Sequence, residues 1–160
     1  HRDLHSFPTR RSSDLTVTYN GKSYTAVVHR KGATRAFGPG HHPGHVYHDT
    51  GQPVLIPGTM GTHSYICVGT PKAEAETFGS SCHGAGRAMS RSAALRAFNG
   101  RDISDKLSHK GISVQTGSIK GLAEEAPQAY KDVRDVVRIV ADEGIVRQVA
   151  RIRPIAVIKG

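Results

Sequence analysis

Between Gly79 and Arg91 the chain reads Gly79-Ser80-Ser81-Cys82-His83-Gly84-Ala85-Gly86-Arg87-Ala88-Met89-Ser90-Arg91. The residue types needed for group transfer stand together here. Small residues let a ligand approach the backbone and meet its N–H groups. His83, followed only by small neighbours, offers an imidazole that acts as a base, a metal ligand or a nucleophile. As a nucleophile toward a nucleotide α-phosphate it forms a phosphoramidate, a reactive carrier of a nucleotidyl group. Only the neutral ring attacks, so acid opposes the reaction. A helix expected over Ala88 to Phe98 places Arg87 and Arg91 at its first turn. The helix dipole disfavours cations there unless an anion lies between them. Guanidinium forks match phosphate oxygens in pairs, so the two arginines point to a bound phosphate. The plainer reading is a loop with two solvated arginines.

Other chemistry-bearing residues are less specific. Cys82 is the competing nucleophile, although such a cysteine is more often a small buried hydrophobe. His41, His42, His45 and His48 are irregularly spaced with no cysteine nearby, match no zinc template and read as a loop. Glu124 and Glu125 suggest acid–base work. Adjacent side chains diverge on a regular element, however, so they read as charges at a helix terminus.

These residues must be positioned by a modest set of elements. Thr16–Tyr19 and Ser23–Val28 flank Asn20-Gly21, which predicts a hairpin. A Gly/His/Pro loop follows over 38–48. Pro53–Ile56 and Ser64–Val68 read as short strands around the turn 57–61, and Phe78 to Gly86 as a glycine-rich loop. Asn99-Gly100 is expected to stop the Ala88 to Phe98 helix. A second helix is expected over Ile103–His109 and a strand over Ile112–Thr116. The Val133, Val136, Val137 and Val140 stripe predicts a helix over 133–143, with Asp132 as N-cap and Gly144 as stop. The β-branched run 145–158 reads as strand broken at Pro154. The expected class is α+β, a mixed sheet with packed helices.

Composition bounds the partners. The 160 residues are 37% apolar with 18 glycines, enough for one domain with a core. No apolar run approaches the roughly 20 residues of a membrane helix, and no secretory leader is seen. Cys67 and Cys82 form no disulfide scaffold and fit a reducing, cytoplasmic compartment. A net charge of +9 favours polyanionic partners. Residues 1–15 show no structural period and read as a cloning or sequence-assembly scar, outside a domain of residues 16–160. Removing them takes away three Arg and two Asp, leaving +8.

Five strings together carry a family resemblance. They are HRKGATRAFGPGH from His29, GQPVLIPGTMGT from Gly51, ETFGSSCHGAGRAMSR from Glu76, GLAEEAPQAYKDV from Gly121 and the terminal VARIRPIAVIKG. In order and spacing, residues 16–160 resemble the C-terminal part of the RtcB RNA-splicing ligases. The resemblance implies that RNA ending in a 2′,3′-cyclic phosphate or 3′-phosphate is joined to RNA with a 5′-hydroxyl, using GTP and Mn²⁺. His83 resembles the histidine that becomes guanylylated. Gly84, Ala85 and Gly86 correspond to backbone against the guanylate. Pro57, Gly58, Thr59 and Met60 match a nucleotide-contacting turn, and Ser64 the serine after it. Tyr130 and Lys159 match residues near the guanosine, and Arg87, Arg91 and Lys31 residues toward RNA phosphates. A helper protein that speeds guanylylation is a possible partner.

One departure stands beside the match. The family's metal ligands, an Asp, a Cys and several His, are expected upstream, the last in an H-N-x-A-K segment just ahead of the hairpin. Residues 1–15 contain no such string. The expectation is an intact parent that ligates and a piece that, alone, does not, with no metal ligand of its own. Two readings compete: a non-enzymatic basic module gripping RNA or nucleotide phosphate, and a hydrolase built on Cys82.

Overall fold

A computed structural model describes residues 13–41 and 44–159, and side chains at all but three of these, Ser13, Asp14 and Tyr19. Its backbone divides into two compact units. One takes the chain up to Val54, Cys67–His83 and Val140–Gln148; the other takes Leu55–Ile66, Gly84–Ile139 and the chain from Val149 on. The class is α+β, as expected, with nine short strands and five α-helices among the described residues.

In the first unit, β1 (Ser13–Tyr19) and β2 (Lys22–Val28) form the expected antiparallel hairpin, with Thr16 opposite Thr25. Asn20 and Gly21 turn it with φ of +48° and +73°, the left-handed pair a tight hairpin demands. β1 thus begins inside the segment expected to be scar; residues 1–12 lie outside the described residues. β3 (Ala33–Arg35) pairs antiparallel with β6 (Ser80–Cys82), Ala33 opposite Cys82. Between them in sequence lies a helix that no apolar period announces, α1 (Pro71–Thr77). Local chemistry accounts for it. The Thr70 side chain caps the start by accepting from the Ala73 N–H, Pro71 is preset for the first turn, and Phe78 ends it at φ +53°. Gly79 follows, where a β-carbon would come within 2.2 Å of the Phe37 ring.

β4 (Pro53–Ile56), β5 (Ser64–Gly69) and β8 (Val146–Ile152) form one sheet in the order β4-β5-β8. Tyr65, Cys67 and Gly69 of β5 are buried and alternate with half-buried residues, the period of a strand.

The second unit holds α2 (Arg91–Ala97), α3 (Gly100–His109), β7 (Ser113–Thr116), α4 (Ile119–Glu124) and a 3-10 turn at Pro127–Ala129. β7 pairs in parallel with β9 (Ala156–Lys159), with Thr116 opposite Lys159. The core joins Ile103, Leu107, Ile112 and Ala126 to Met60, Phe98, Val114 and Val157. α5 (Val133–Asp142) buries Val133 and Val137, as its stripe predicts. Asp132 caps it, Oδ1 accepting from the Arg134 N–H at 2.8 Å, and Gly144 ends it at φ +68°.

Three expectations are corrected. The helix expected from Ala88 starts at Arg91, because the Ser90 side chain accepts from the Ala93 N–H and caps it there. Asn99-Gly100 does not merely stop that helix. Asn99 caps α3, its Oδ1 accepting from the Arg101 N–H at 2.8 Å. The glycine-rich segment 78–86 is not all loop, since Ser80–Cys82 is strand β6.

Candidate functional site

In the first unit His83 directly follows β6. Its backbone N–H donates to the Gly32 carbonyl at 3.3 Å, so the strand pairing of β3 and β6 runs on to it. The ring is exposed and makes no hydrogen bond to another described residue. Lys31, also exposed, precedes Gly32, which turns at φ +69°. Arg30 fastens this segment: Nε donates to Ser80 Oγ at 2.8 Å and Nη2 to the Phe78 carbonyl at 2.8 Å. Burial lowers the Arg30 pKa, and the charge of Arg35 lowers it further. The backbone beneath His83 is therefore fixed from two sides while its ring is left outward.

Cys82 faces Ala33 across the strand pair. Cys67 is fully buried, and burial, then Cys82, push its thiol up to about 11, which disfavours the thiolate that nucleophilic chemistry needs. Among the described residues no group of three or more His, Cys, Asp or Glu side chains is placed to hold a metal ion. His41 pairs with Glu74 at 2.6 Å, and His42 lies outside the described residues.

The chain enters the second unit at Gly84. There the Ala85 N–H donates to the Pro57 carbonyl at 3.2 Å, joining the Gly84–Gly86 stretch to the 57–60 turn. A β-carbon on Gly84 would stand 3.3 Å from that same carbonyl. The turn is self-fastened: the Gly58 N–H donates to Ser64 Oγ at 3.2 Å and the Thr59 N–H to Thr62 Oγ1 at 2.8 Å. A β-carbon on Gly58 would meet the His63 carbonyl at 2.0 Å, so only glycine fits. Ser64 is thus a support of the turn's backbone, and Met60 packs against the Ile103–Leu107 core.

Beyond Gly86, which is exposed at φ +71°, Arg87 bridges to Tyr130. Arg87 is not in the helix. Its donors are taken up by protein: Nε by the Met89 carbonyl at 3.0 Å, Nη1 by the Tyr130 hydroxyl at 3.0 Å, Nη2 by the Glu124 carbonyl at 2.8 Å. Its guanidinium also lies 4.9 Å from the centre of the Tyr130 ring. Arg91, the first residue of α2, pairs with Glu124 at 2.6 Å, yet its side chain stays 68% exposed. The anion expected beside the two arginines is therefore supplied, in this structure, by the protein's own carboxylates.

Glu125, which the sequence marks only as a charge at a helix terminus, is the hub of this cluster. Its carboxylate accepts a short hydrogen bond from the Tyr130 hydroxyl and stands 3.7 Å from Arg87, 3.9 Å from Arg91 and 4.0 Å from Lys159. Burial pushes the Glu125 carboxyl up. The Tyr130 hydrogen bond and the Lys159, Arg87 and Arg91 charges outweigh it and hold the group below the usual carboxylate range. Tyr130 is raised, first by burial, then by its hydrogen bond to Glu125 and the charge there. The helix-terminus reading of the acid pair holds, since Glu124 ends α4 and Glu125 caps it. Both nonetheless converge on Arg91, because a helix end turns the chain and lets neighbours share a target. The available signal was two acids six and five residues ahead of a tyrosine on a strand-like exit. Three cations meet two carboxylates here, so the cluster keeps one positive charge in excess.

The second unit thus brings together Pro57–Met60, Ser64, Gly84–Arg87, Arg91, Tyr130 and Lys159. His83 and Lys31 belong to the first unit.

Comparison with known proteins bears on what this arrangement serves. A family model described as tRNA-splicing ligase RtcB matches residues 15–160. Proteins named tRNA-splicing ligase RtcB are similar over 88% of this chain. Those of Pyrococcus furiosus and Archaeoglobus fulgidus are each 57% identical over 142 residues, which is 15% of the first protein's length and 30% of the second's. That of Thermococcus kodakarensis is 54% identical over 143 residues, 30% of its length. The chain spans less than a third of the length of these relatives. With a family match over nearly all of its residues, this chain belongs to the tRNA-splicing ligase RtcB family.

Proposed function

We propose that this chain is the guanylate-carrying part of a GTP-dependent RNA ligase, with His83 as the carrier. The observation that bears most weight is His83 itself: an exposed residue on a backbone pinned to Gly32, followed at once by the small residues Gly84 to Gly86, the last of them exposed. A ring nitrogen of neutral His83 attacks the α-phosphorus of GTP. A P–N bond forms, the α–β bridging P–O bond breaks and pyrophosphate leaves. The cyclic phosphate of the RNA opens with water to a 3′-phosphate. That 3′-phosphate takes the guanylate from His83, and the 5′-hydroxyl of the second RNA then displaces GMP and seals the strand. Little acid–base machinery is required, because phosphoryl transfer depends mainly on positioning and charge neutralisation.

The remaining residues are assigned to holding. The Pro57–Met60 turn with Ser64, and Gly84–Gly86, present backbone to the nucleotide. Tyr130 and Lys159, both tied to Glu125, sit toward the guanosine. Arg91, exposed, and Lys31 meet RNA phosphates, and Arg87 acts mainly by holding Tyr130 in place. The family likeness implies Mn²⁺ as well, whose chemistry would be to polarise phosphate oxygens. The described residues hold no group of three or more His, Cys, Asp or Glu side chains placed to bind that ion. Its ligands are assigned to the part of the longer relatives that this chain does not span. The same holds for a helper protein, and a cytoplasmic setting suits RNA processing. No helix among the described residues is long and apolar enough to cross a membrane.

The test is a search for an acid-labile GMP adduct on His83 after incubation with GTP and Mn²⁺. A full-length relative should form it and its His83→Ala counterpart should not. This chain alone should form none. A full-length protein that ligates with the histidine replaced would end the proposal.

A further inference from the structure

In the first unit the segment following β3 surrounds a cavity of about 400 Å³, within the size range of small-ligand sites. Arg35, Phe37, His41, Tyr47, His48 and Gln52 are among its lining residues. None of them has a part in the guanylate chemistry above. One wall is flat and fixed. The Phe37 and His41 rings stack with centroids 3.7 Å apart and planes 9° from parallel. Glu74 locks that stack, one oxygen meeting His41 Nδ1 at 2.6 Å and the other accepting from the Gly38 N–H at 2.7 Å.

Two observations point to an occupant. First, His48 Nδ1 and Gln52 Oε1 are buried without a hydrogen-bond partner among the described residues. Buried polar atoms are nearly always satisfied, so two on one cavity ask for a group from outside. Second, Arg35 lies close enough to Arg30 to oppose its charge, and among the described residues no carboxylate pairs with Arg35. Arg30 is already committed to Ser80 and Phe78, which leaves Arg35 as the cation that an anion would neutralise.

These demands differ in kind. A guanidinium wants phosphate oxygens. The Gln52 carbonyl oxygen wants an N–H or O–H donor, which a fully ionised phosphate lacks and a base or ribose has. We propose that this cavity binds one phosphorylated nucleotide of single-stranded RNA, its phosphate on Arg35, its base along the aromatic wall, and its donors on Gln52. The nucleotide follows from the cavity alone; the choice of an RNA strand as its source rests on the ligase reading.

Side-chain NMR of the full chain tests this with four probes: inorganic phosphate, uridine, uridine 5′-monophosphate and a five-residue oligouridine. The expected result is saturable shifts of the His48 ring and Gln52 amide signals with the monophosphate and the oligomer. Phosphate alone leaves Gln52 unmoved, and uridine alone binds more weakly than its monophosphate. Arg35→Gln weakens monophosphate binding about tenfold, the scale of one charge-assisted hydrogen bond. Gln52→Leu, which removes an orphaned acceptor without adding one, weakens it severalfold and preserves the fold. The oligomer binds at least tenfold tighter than the monophosphate if a strand is the source; equal or weaker binding overturns the RNA assignment. Silence of His48 and Gln52 toward every probe, or unchanged affinity in both variants, overturns the site. Occupancy is read without ligation, so failure of His83 guanylylation and failure of this site are told apart.

Discussion

His83 and Arg87 stand four residues apart in sequence and have opposite situations. His83 has its backbone held and its ring unengaged. Arg87 has its ring-facing guanidinium bound on three sides, and its side chain is only 22% exposed. A residue that must change its bonding during a reaction is best left without internal partners. A residue that must hold others still is best saturated with them. The same contrast separates Arg87 from Arg91, which shares the carboxylates but remains mostly in solvent.

The largest expected effect is on chemistry alone. His83→Ala in a full-length relative abolishes the GMP adduct while the urea unfolding midpoint is unchanged, because His83 is exposed and its ring makes no hydrogen bond to another described residue. A large loss of stability would show that the ring is structural and erase the contrast. Next comes the core beside the site. Leu107→Ala, at a residue 3% exposed, costs about 2–5 kcal/mol in urea unfolding, since the cavity left behind is only partly refilled. Arg87→Ala follows at about 2 kcal/mol, because it leaves the Glu124 and Met89 carbonyls without the donor that meets them in a half-buried site. Arg91→Ala should hardly move the midpoint and should instead weaken RNA binding, with a shallower salt dependence. If Arg91→Ala unfolds the protein as readily as Arg87→Ala, the two arginines are not distinct.

The smallest effect is a pH signature of Glu125. Its carboxyl is held below the ordinary range, so the charged form is favoured in the folded state. The stability this provides is present above the unfolded pKa, about 4.3 for a glutamate, and is lost as pH falls through the lower folded value. Glu125→Gln removes that acid limb. It also lets the Tyr130 hydroxyl, now raised partly by the Glu125 charge, titrate earlier in an ultraviolet titration. Tyr130 works in the other direction. Its stabilisation is full below the unfolded value, about 10, and is lost as pH rises through the higher folded one. A binding measurement separates a guanylate carrier from a general polyanion binder. Full-length protein should prefer GTP to ATP, whereas bulk charge makes no distinction between bases.

Much of the fold was legible because local rules decided it. Asn20-Gly21 required a left-handed pair, the valine stripe of α5 required a buried face, and Pro154 broke the last strand. The start of α2 was misplaced because Ser90, a competent cap, lies inside a run that also tolerates helix. α1 and α4 escaped notice since helices of seven and six residues are too short to show a readable period. Within the site, the sequence singled out His83 and the glycines by type alone. It could not say where Arg87 and Arg91 would find their anions.

The amino-acid order by itself determined the family, the α+β class and the histidine to examine, because composition, turn residues and short strings are properties of the chain. Tertiary structure alone decided that Glu125 gathers Tyr130, Lys159 and the two arginines, and that Gln52 Oε1 and His48 Nδ1 lie buried at the cavity that Arg35 also lines. Glu125 stands more than thirty residues from Lys159 and from both arginines in sequence, and the strength of a charge or hydrogen bond depends on the distance and burial that only packing sets.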